Sequence, residues 1–278
     1  MRVSVYEVGP RDGLQNIKQI IDTETKVRLI HSLYDAGLES VEEVSFAHPK
    51  LVPQMADAEQ VFQHGGVLVM NQRGFDRAKA AGAEKFNIVF SPCEEFNMRN
   101  MKKTRSEIVQ MYQTMLNGVP KENVRVYLSM AFGSPYTGKV TNLVLKNCIR
   151  DAKLFGSTVV FADTVGIGEI WQVKDMASIS IAEKIKPALH LHHKGDEEKA
   201  IKIIQSGLFY GITEFDSSIG GLGGCPFAEK SGANISTEKL VKYLHVWGFE
   251  TGVNEEKLKI SSAIVDEIKT GMQVLKAV

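Results

Sequence analysis

The chain has 278 residues, with 33 Lys plus Arg balanced by 33 Asp plus Glu, and three cysteines. This length fits one large α/β domain, and the balanced charge gives no bulk attraction for nucleic acid or an anionic membrane. No apolar run reaches the roughly 18 residues of a membrane span, and three widely spaced cysteines do not suggest a disulfide framework. We therefore expect a single-domain protein of the cytoplasm without a nucleic-acid or membrane partner.

Short alternating apolar runs and longer runs at helical spacing follow one another along the chain, which predicts regular strand–helix units. Eight strands are predicted at residues 3–8, 40–46, 67–71, 85–91, 124–131, 158–162, 188–192 and 212–216. The helices that follow them are predicted at residues 23–37, 55–62, 75–81, 106–116, 140–155, 171–185, 197–208 and 237–247, and residues 255–275 are predicted as a helix appended on the outside.

Eight strand–helix units in about 250 residues favour an α/β fold of the closed (β/α)8 type, a TIM barrel, with residues 1–278 forming one domain. An open doubly wound sheet is the alternative. Such a sheet more often carries Gly-x-Gly-x-x-Gly after its first strand, and this chain has no such motif there. In a barrel, functional side chains are expected on the loops that follow the carboxyl ends of the strands.

The loop after the first predicted strand carries Arg11, Asp12, Gln15 and Asn16. A fixed cation, a carboxylate and two amides suit a divalent metal and an oxygen-rich anionic substrate. An ordinary solvated turn explains this stretch equally well when it is considered alone. Glu42 lies in the second predicted strand, where a buried carboxylate needs a partner, and Arg11 is the obvious candidate.

The seventh predicted strand ends with two histidines in alternation, His190 and His192. Alternation places both imidazoles on one face, about 7 Å apart along the strand, so both can reach one ion. A lone histidine of this kind is more often a core residue, whereas two in step favour a metal site. With Asp12 they form a two-histidine, one-carboxylate set that suits a divalent ion, and Asn234 could add a neutral oxygen.

Two further loops carry candidate residues. Asp163 and Thr164 end the sixth predicted strand, where the simpler interpretation is a helix cap. After the eighth strand, Gly220, Gly221, Gly223 and Gly224 precede Cys225. A structural glycine loop is one interpretation, and a mobile lid that carries a proton donor is the other.

These residues resemble the 3-hydroxy-3-methylglutaryl-CoA lyase family within the DRE-TIM metallolyase superfamily. The similarity is carried by the opening signature and by a second long motif near the end of the chain, which read Glu7-Val8-Gly9-Pro10-Arg11-Asp12-Gly13-Leu14-Gln15-Asn16 and Gly221-Leu222-Gly223-Gly224-Cys225-Pro226-Phe227-Ala228, followed by Ser231-Gly232-Ala233-Asn234. It extends from about residue 5 to residue 254. The segment after His192, which reads His193-Lys194-Gly195-Asp196-Glu197, departs from the family pattern.

The resemblance implies roles for these residues. The implied ligands of a Mg or Mn ion are Asp12, His190, His192 and Asn234. Arg11 would polarise the thioester carbonyl, with Glu42 holding it in place. Asp163 would lie near the substrate hydroxyl as part of the base machinery, and Cys225 would deliver a proton from its loop. Gln15 and Thr164 are predicted to bind substrate.

The function implied is metal-dependent carbon–carbon cleavage of 3-hydroxy-3-methylglutaryl-CoA, or of a close 3-alkyl analogue, to acetyl-CoA and acetoacetate by retro-Claisen chemistry. The predicted partner is therefore a small acyl-CoA, in a homo-oligomer that we expect to be a dimer. A condensing acyltransferase of the isopropylmalate or homocitrate synthase type is the alternative, although Cys225 argues against it. A barrel that has lost catalysis and serves as a binding protein is a third hypothesis.

Overall fold

The structure, a computed structural model, describes residues 1–223 and 232–276. Eight parallel strands form its centre, and each pairs with its neighbours along the chain. Pairing of the first strand with the eighth and of the sixth with the seventh closes the sheet into a barrel. The strands are β1 (Ser4–Glu7), β2 (Ser40–Ser45), β3 (Gly66–Leu68), β4 (Lys85–Phe90), β5 (Val124–Leu128), β6 (Thr158–Asp163), β7 (Lys186–His193) and β8 (Glu214–Ser217).

A short additional strand, β9 (Ala233–Asn234), pairs antiparallel with the end of β7. It lies outside the strand–helix repeat, because it belongs to the long connection between β8 and the helix that follows. The sequence did not predict this strand.

Helices cover the outside of the barrel, and they are α1 (Thr23–Asp35), α2 (Ala58–Val61), α3 (Gln72–Ala80), α4 (Glu94–Met101), α5 (Arg105–Met115), α6 (Asn142–Ala152), α7 (Ile170–Glu183), α8 (Glu197–Phe209), α9 (Thr237–Val246) and α10 (Glu255–Lys276). Among the described residues, no helix is long and apolar enough to cross a bilayer. The predicted barrel with its appended helix is confirmed, and α4 is the one described helix of eight or more residues that the sequence did not predict.

The main apolar core lies between the barrel and the helices, where outward-facing residues such as Leu189, Phe161 and Phe215 pack against helix side chains. The barrel interior is unusually polar. Arg125 from β5 pairs there with Glu214 and Asp216 from β8, and its guanidinium lies 4.2 Å from the Tyr6 ring centroid. Buried charges need partners to offset their lost hydration, and these contacts supply them along the interior below the carboxyl ends of the strands.

Candidate active site at the carboxyl rim of the barrel

The turn after β1 positions the first two functional side chains. Gly9–Gly13 forms one turn of π-helix, in which the N–H groups of Asp12 and Gly13 both donate to the Val8 carbonyl, at 2.7 and 3.2 Å. Pro10 suits the start of this turn, where its missing N–H costs nothing. The wide turn keeps Arg11 and Asp12 both buried at the rim, although they are adjacent in the chain.

Strand β7 supplies the two histidines. His190 and His192 face the barrel interior, whereas Leu189 and Leu191 face the helices and belong to the apolar core. β9 then brings Asn234 beside His192, as its direct partner in the antiparallel pair. The strand alternation predicted for the histidine pair is confirmed.

Asp12, His190 and His192 form a cluster that could hold a metal ion, because one ligand atom from each lies within 4.8 Å of the others. All three residues are buried. Asn234 lies next to the cluster, where its Nδ2 donates to Asp12 Oδ2 at 2.8 Å and to the Leu222 carbonyl at 2.9 Å. A ligand role for Asn234 requires its amide to turn so that the oxygen faces the ion.

The hydrogen bonds of the two imidazoles show that the cluster fits a cation. His192 Nδ1 lies 3.0 Å from the Thr164 carbonyl oxygen, and His190 Nδ1 lies 3.1 Å from Asp216 Oδ2. Since both partners accept, each Nδ1 carries the hydrogen in the neutral ring. In the neutral rings the two Nε2 atoms, which are 3.0 Å apart, then present lone pairs to each other. Either a metal ion or a proton shared between them removes that repulsion.

Burial and the neighbouring charged groups shift the pKa values of all three residues of the cluster. Burial and the neighbouring His190 lower the pKa of His192 to about 4. Burial opposes charge on His190, yet its hydrogen bond with Asp216 raises its pKa above the ordinary value. Burial also opposes charge on Asp12, but Arg11 and the two histidines hold its pKa below the usual range. An ionised carboxylate beside a neutral imidazole is the protonation pattern that metal binding requires.

Arg11 is held by two carboxylates. Its Nε lies 2.5 Å from Glu42 Oε2, and its Nη1 lies 2.8 Å from Asp12 Oδ1. Asn87 donates to the other oxygen of Glu42 at 2.7 Å, so this fully buried carboxylate has partners on both sides. The ion pair that the sequence predicted between Glu42 and Arg11 is present.

A cleft opens at this rim and encloses about 680 Å³ of atom-free space, part of it open to solvent. Arg11, the metal-binding cluster, Gln15 and Thr164 line it on one side, whereas the opposite wall is mostly apolar and includes Leu68, Met70, Val89 and Phe96. Gln15 donates to Asp12 Oδ1 at 2.9 Å. The cleft therefore has one charged side and one apolar side, as expected of a site for an anionic group with an alkyl substituent.

Asp163 is not brought into this cleft. It pairs in register with Leu191, on the face of the sheet that is turned towards the helices. Its carboxylate accepts from the N–H groups of Ile167 and Gly168 at 3.0 and 2.7 Å, and burial raises its pKa. In this structure the residue organises the turn that leads to α7 and does not take the expected position beside the substrate hydroxyl. It is not the helix cap either, because the N-cap of α7 is Glu169.

Cys225 lies outside the described residues. The described chain before it ends at Gly223, where a Cβ atom would lie 3.1 Å from Asp12 Oδ2 and 2.1 Å from Asn234 Nδ2. Gly223 also has a φ of +128°, which disfavours any other residue. The segment that leads to Cys225 therefore starts in contact with the metal-binding cluster.

Sequence reasoning missed Asp216, which contacts His190 Nδ1, and the two residues that hold Asp216 deeper in the barrel. Asp216 accepts from Tyr127 Oη at 2.8 Å and pairs with Arg125, so its pKa stays below the ordinary value although burial opposes its charge. A signal was available, because Glu214 and Asp216 are two residues apart on one strand, as Arg125 and Tyr127 are on another. Period-two pairs of polar residues in buried strands indicate a polar barrel interior.

Comparison with known proteins gives a consistent result. The chain matches the HMGL-like family across residues 2–265. It is 37% identical over 268 residues to the mitochondrial hydroxymethylglutaryl-CoA lyase of Homo sapiens, and the match covers 92% of this chain and 82% of the human protein. It is 38% identical over 272 residues to a 3-hydroxy-3-methylglutaryl-CoA lyase of Danio rerio described as cytoplasmic, with 94% and 81% covered.

Solved structures that resemble this chain include HMG-CoA lyases as well. The HMG-CoA lyase of Bacillus subtilis superposes with a TM-score of 0.89 at 33% identity, covering 99% of this chain and 98% of that chain. The HMG-CoA lyase of Acinetobacter baumannii, in complex with coenzyme A and 3-methylmalate, superposes with a TM-score of 0.87 at 30% identity, covering 94% of this chain and 89% of that chain.

Proposed function

The chain belongs to the HMGL-like family and is a lyase that cleaves 3-hydroxy-3-methylglutaryl-CoA to acetyl-CoA and acetoacetate. We propose that this cleavage requires a divalent metal ion held by Asp12, His190 and His192. The observation that carries the proposal is the convergence of one carboxylate and two imidazoles, whose ligand atoms all lie within 4.8 Å of one another. Asn234 is the proposed fourth protein ligand, and Mg or Mn is the proposed metal because carboxylate and amide oxygens suit hard cations.

An ion held there would bind the hydroxyl and carboxylate oxygens of the substrate and lower the pKa of that hydroxyl. Side chains of the protein supply the other contacts with the substrate. Gln15 and Thr164 line the same side of the cleft as the ligands and are proposed to contact the substrate. The apolar wall faces the remaining substituent on C3, which is a methyl group in the proposed substrate.

Arg11 is proposed to polarise the thioester carbonyl and to stabilise the enolate that forms when the C2–C3 bond breaks. Its guanidinium is fixed by Glu42 and Asp12 before substrate arrives, so no reorganisation is needed when negative charge develops. Burial opposes its charge, but these two carboxylates raise its pKa, which keeps it protonated.

Two proton transfers complete the reaction. The hydroxyl proton leaves to a base. With both Nε2 atoms on the ion and both Nδ1 atoms protonated, neither imidazole can accept it, which leaves the Asp12 carboxylate as the proposed acceptor among the described residues that line the cleft. The enolate carbon of acetyl-CoA then takes up a proton, for which Cys225 is the proposed donor. The position of Gly223 beside Asp12 supports this proposal, because the loop begins at the site.

A direct assay tests the function. Purified protein with Mn²⁺ or Mg²⁺ is expected to release acetyl-CoA and acetoacetate from 3-hydroxy-3-methylglutaryl-CoA, and chelation should abolish the activity until metal is restored. Formation of free CoA from acetyl-CoA and a 2-oxo acid, without cleavage activity, would instead identify a condensing enzyme.

Removing the partner of His190 should weaken metal binding. We expect Asp216→Asn to raise the Kd for Mn²⁺ by about 10-fold to 100-fold, because groups that orient a histidine ligand typically contribute that much. Isothermal titration calorimetry measures this directly. Glu214→Gln is the matched control, since Glu214 lies on the same strand as Asp216 and also pairs with Arg125 but has no described contact with His190. Equal Kd values for the two variants would contradict the supporting role of Asp216.

We also propose a homodimer in the cytoplasm. The relatives include proteins described as cytoplasmic and as mitochondrial, so cellular fractionation tests the location. Light scattering after size-exclusion chromatography tests the oligomeric state.

A further inference from the structure

Glu7 is a buried carboxylate that the proposed chemistry does not use. It lies on β1 with none of its surface exposed, and its side chain points away from the barrel interior. Oε1 accepts from the N–H groups of Gly9 and Ile219, at 2.7 and 2.9 Å, and Oε2 accepts from Thr237 Oγ1 at 2.5 Å. A buried carboxylate is costly unless donors surround it, and here three donors do so.

These donors come from three segments that surround the metal-binding cluster. Gly9 begins the π-helical turn that carries Asp12. Ile219 lies in the segment after β8, which leads to Gly223. Thr237 is the first residue of α9 and lies three residues after Asn234.

The same segments are joined closely around Glu7. Ser218 donates its N–H to the Ile235 carbonyl at 2.9 Å, and Thr237 donates its N–H to the Ser218 carbonyl at 3.2 Å. A Cβ on Gly13 would lie 2.9 Å from both Leu222 Cβ and Ser218 Oγ. The turn and the segment after β8 therefore pack against each other with no room for another side chain.

From this arrangement we infer that Glu7 is a positioning residue that sets the distance between two metal ligands, Asp12 on the π-helical turn and Asn234 beside α9. The inference rests on the proposed metal site. Glu7 touches neither ligand and acts through the backbone of the turn and through Thr237.

The chain contains a matched control in Glu43. This carboxylate on β2 is also fully buried and accepts from one hydroxyl, Tyr34 Oη at 2.6 Å, and from backbone N–H groups that include Gln63 at 2.7 Å and Gly65 at 2.9 Å. Its donors precede β3, at the opposite end of the barrel from the cleft. Loss of either carboxylate leaves comparable buried groups unpaired, but only Glu7 connects segments that carry ligands.

The test is the Kd for Mn²⁺, measured by calorimetry on the full chain without substrate, together with the midpoint of thermal unfolding. Glu7→Ala and Glu43→Ala should lower the unfolding midpoint to similar extents. Glu7→Ala should raise the Kd about tenfold, whereas Glu43→Ala should change it less than about twofold. Glu7→Gln should recover most of the affinity, because its carbonyl can still accept from Gly9 and Ile219.

Thr237→Val provides a second measurement if Glu7→Ala does not fold, since it removes only one donor, and it should raise the Kd about threefold. Wild-type affinity in Glu7→Ala or Thr237→Val, or equal changes in the Glu7 and Glu43 variants, would overturn the inference alone. A wild-type protein that binds no divalent metal would overturn the proposed metal site and this inference together.

Discussion

Replacing Arg11 with Lys is expected to lower kcat by about 100-fold to 1,000-fold, the range found when one preorganised donor to a developing oxyanion is lost. The ammonium group keeps the charge, but it cannot contact Glu42 and Asp12 while also presenting a donor to the thioester oxygen, as the planar guanidinium does. Metal affinity should change much less than kcat, because Arg11 is not a ligand. Steady-state kinetics with saturating Mn²⁺, together with calorimetry, separate the two effects.

Arg77→Lys is the matched control for this variant. Arg77 also forms a two-nitrogen contact with one carboxylate, Glu59, at 2.7 and 3.0 Å, but it does not line the cleft. Its replacement should leave kcat within about twofold, because this partly exposed ion pair lies outside the cleft and such pairs contribute little even to stability. If Arg11→Lys retains a kcat within about tenfold of wild type, Arg11 does not stabilise the enolate.

Replacing His192 with Ala is expected to abolish measurable metal binding. It removes one of the three ligands and leaves His190 Nε2 without its counterpart across the site. We expect the Kd for Mn²⁺ to rise more than about 100-fold, which exceeds the typical cost of losing a supporting partner. Activity should fall in proportion and should not be restored at millimolar metal.

The adjacent residue provides the control for His192. His193 lies at the end of the same strand, outside the metal-binding cluster, and no hydrogen bond of its Nδ1 is found within the described residues. His193→Ala should bind one metal per chain with wild-type affinity. One metal per chain with unchanged affinity in His192→Ala would refute the ligand assignment.

The parts of the site that depend on local periodicity could be predicted from the sequence. Alternation on β7 placed His190 and His192 on one face, and the rule for barrel loops brought Asp12 to them from the other end of the chain. The Arg11–Glu42 pair followed from the cost of burying a carboxylate without a partner. The first two predictions need only the strand period and the direction of the strands, and the third adds the cost of burying a charge.

The remaining parts depend on geometry that a linear pattern does not contain. Asp163 looked like a site residue because it ends a barrel strand, but the strand phase turns it towards the helices, where backbone donors satisfy it. Glu7 and Asp216 looked unremarkable because most of their partners are distant in sequence. Asn234 reaches His192 only through β9, a two-residue strand too short to be recognised from its composition.

The π-helical turn at Gly9–Gly13 restricts how this protein can be altered by insertion or deletion. Two consecutive side chains, Arg11 and Asp12, reach one centre from this turn, which is one residue wider than a normal helical turn. Deleting one residue is expected to rotate Asp12 about the axis of the turn and away from the two histidines. For grafting this chemistry onto another barrel, the residue count of the opening loop is therefore as strict a requirement as its chemical identity.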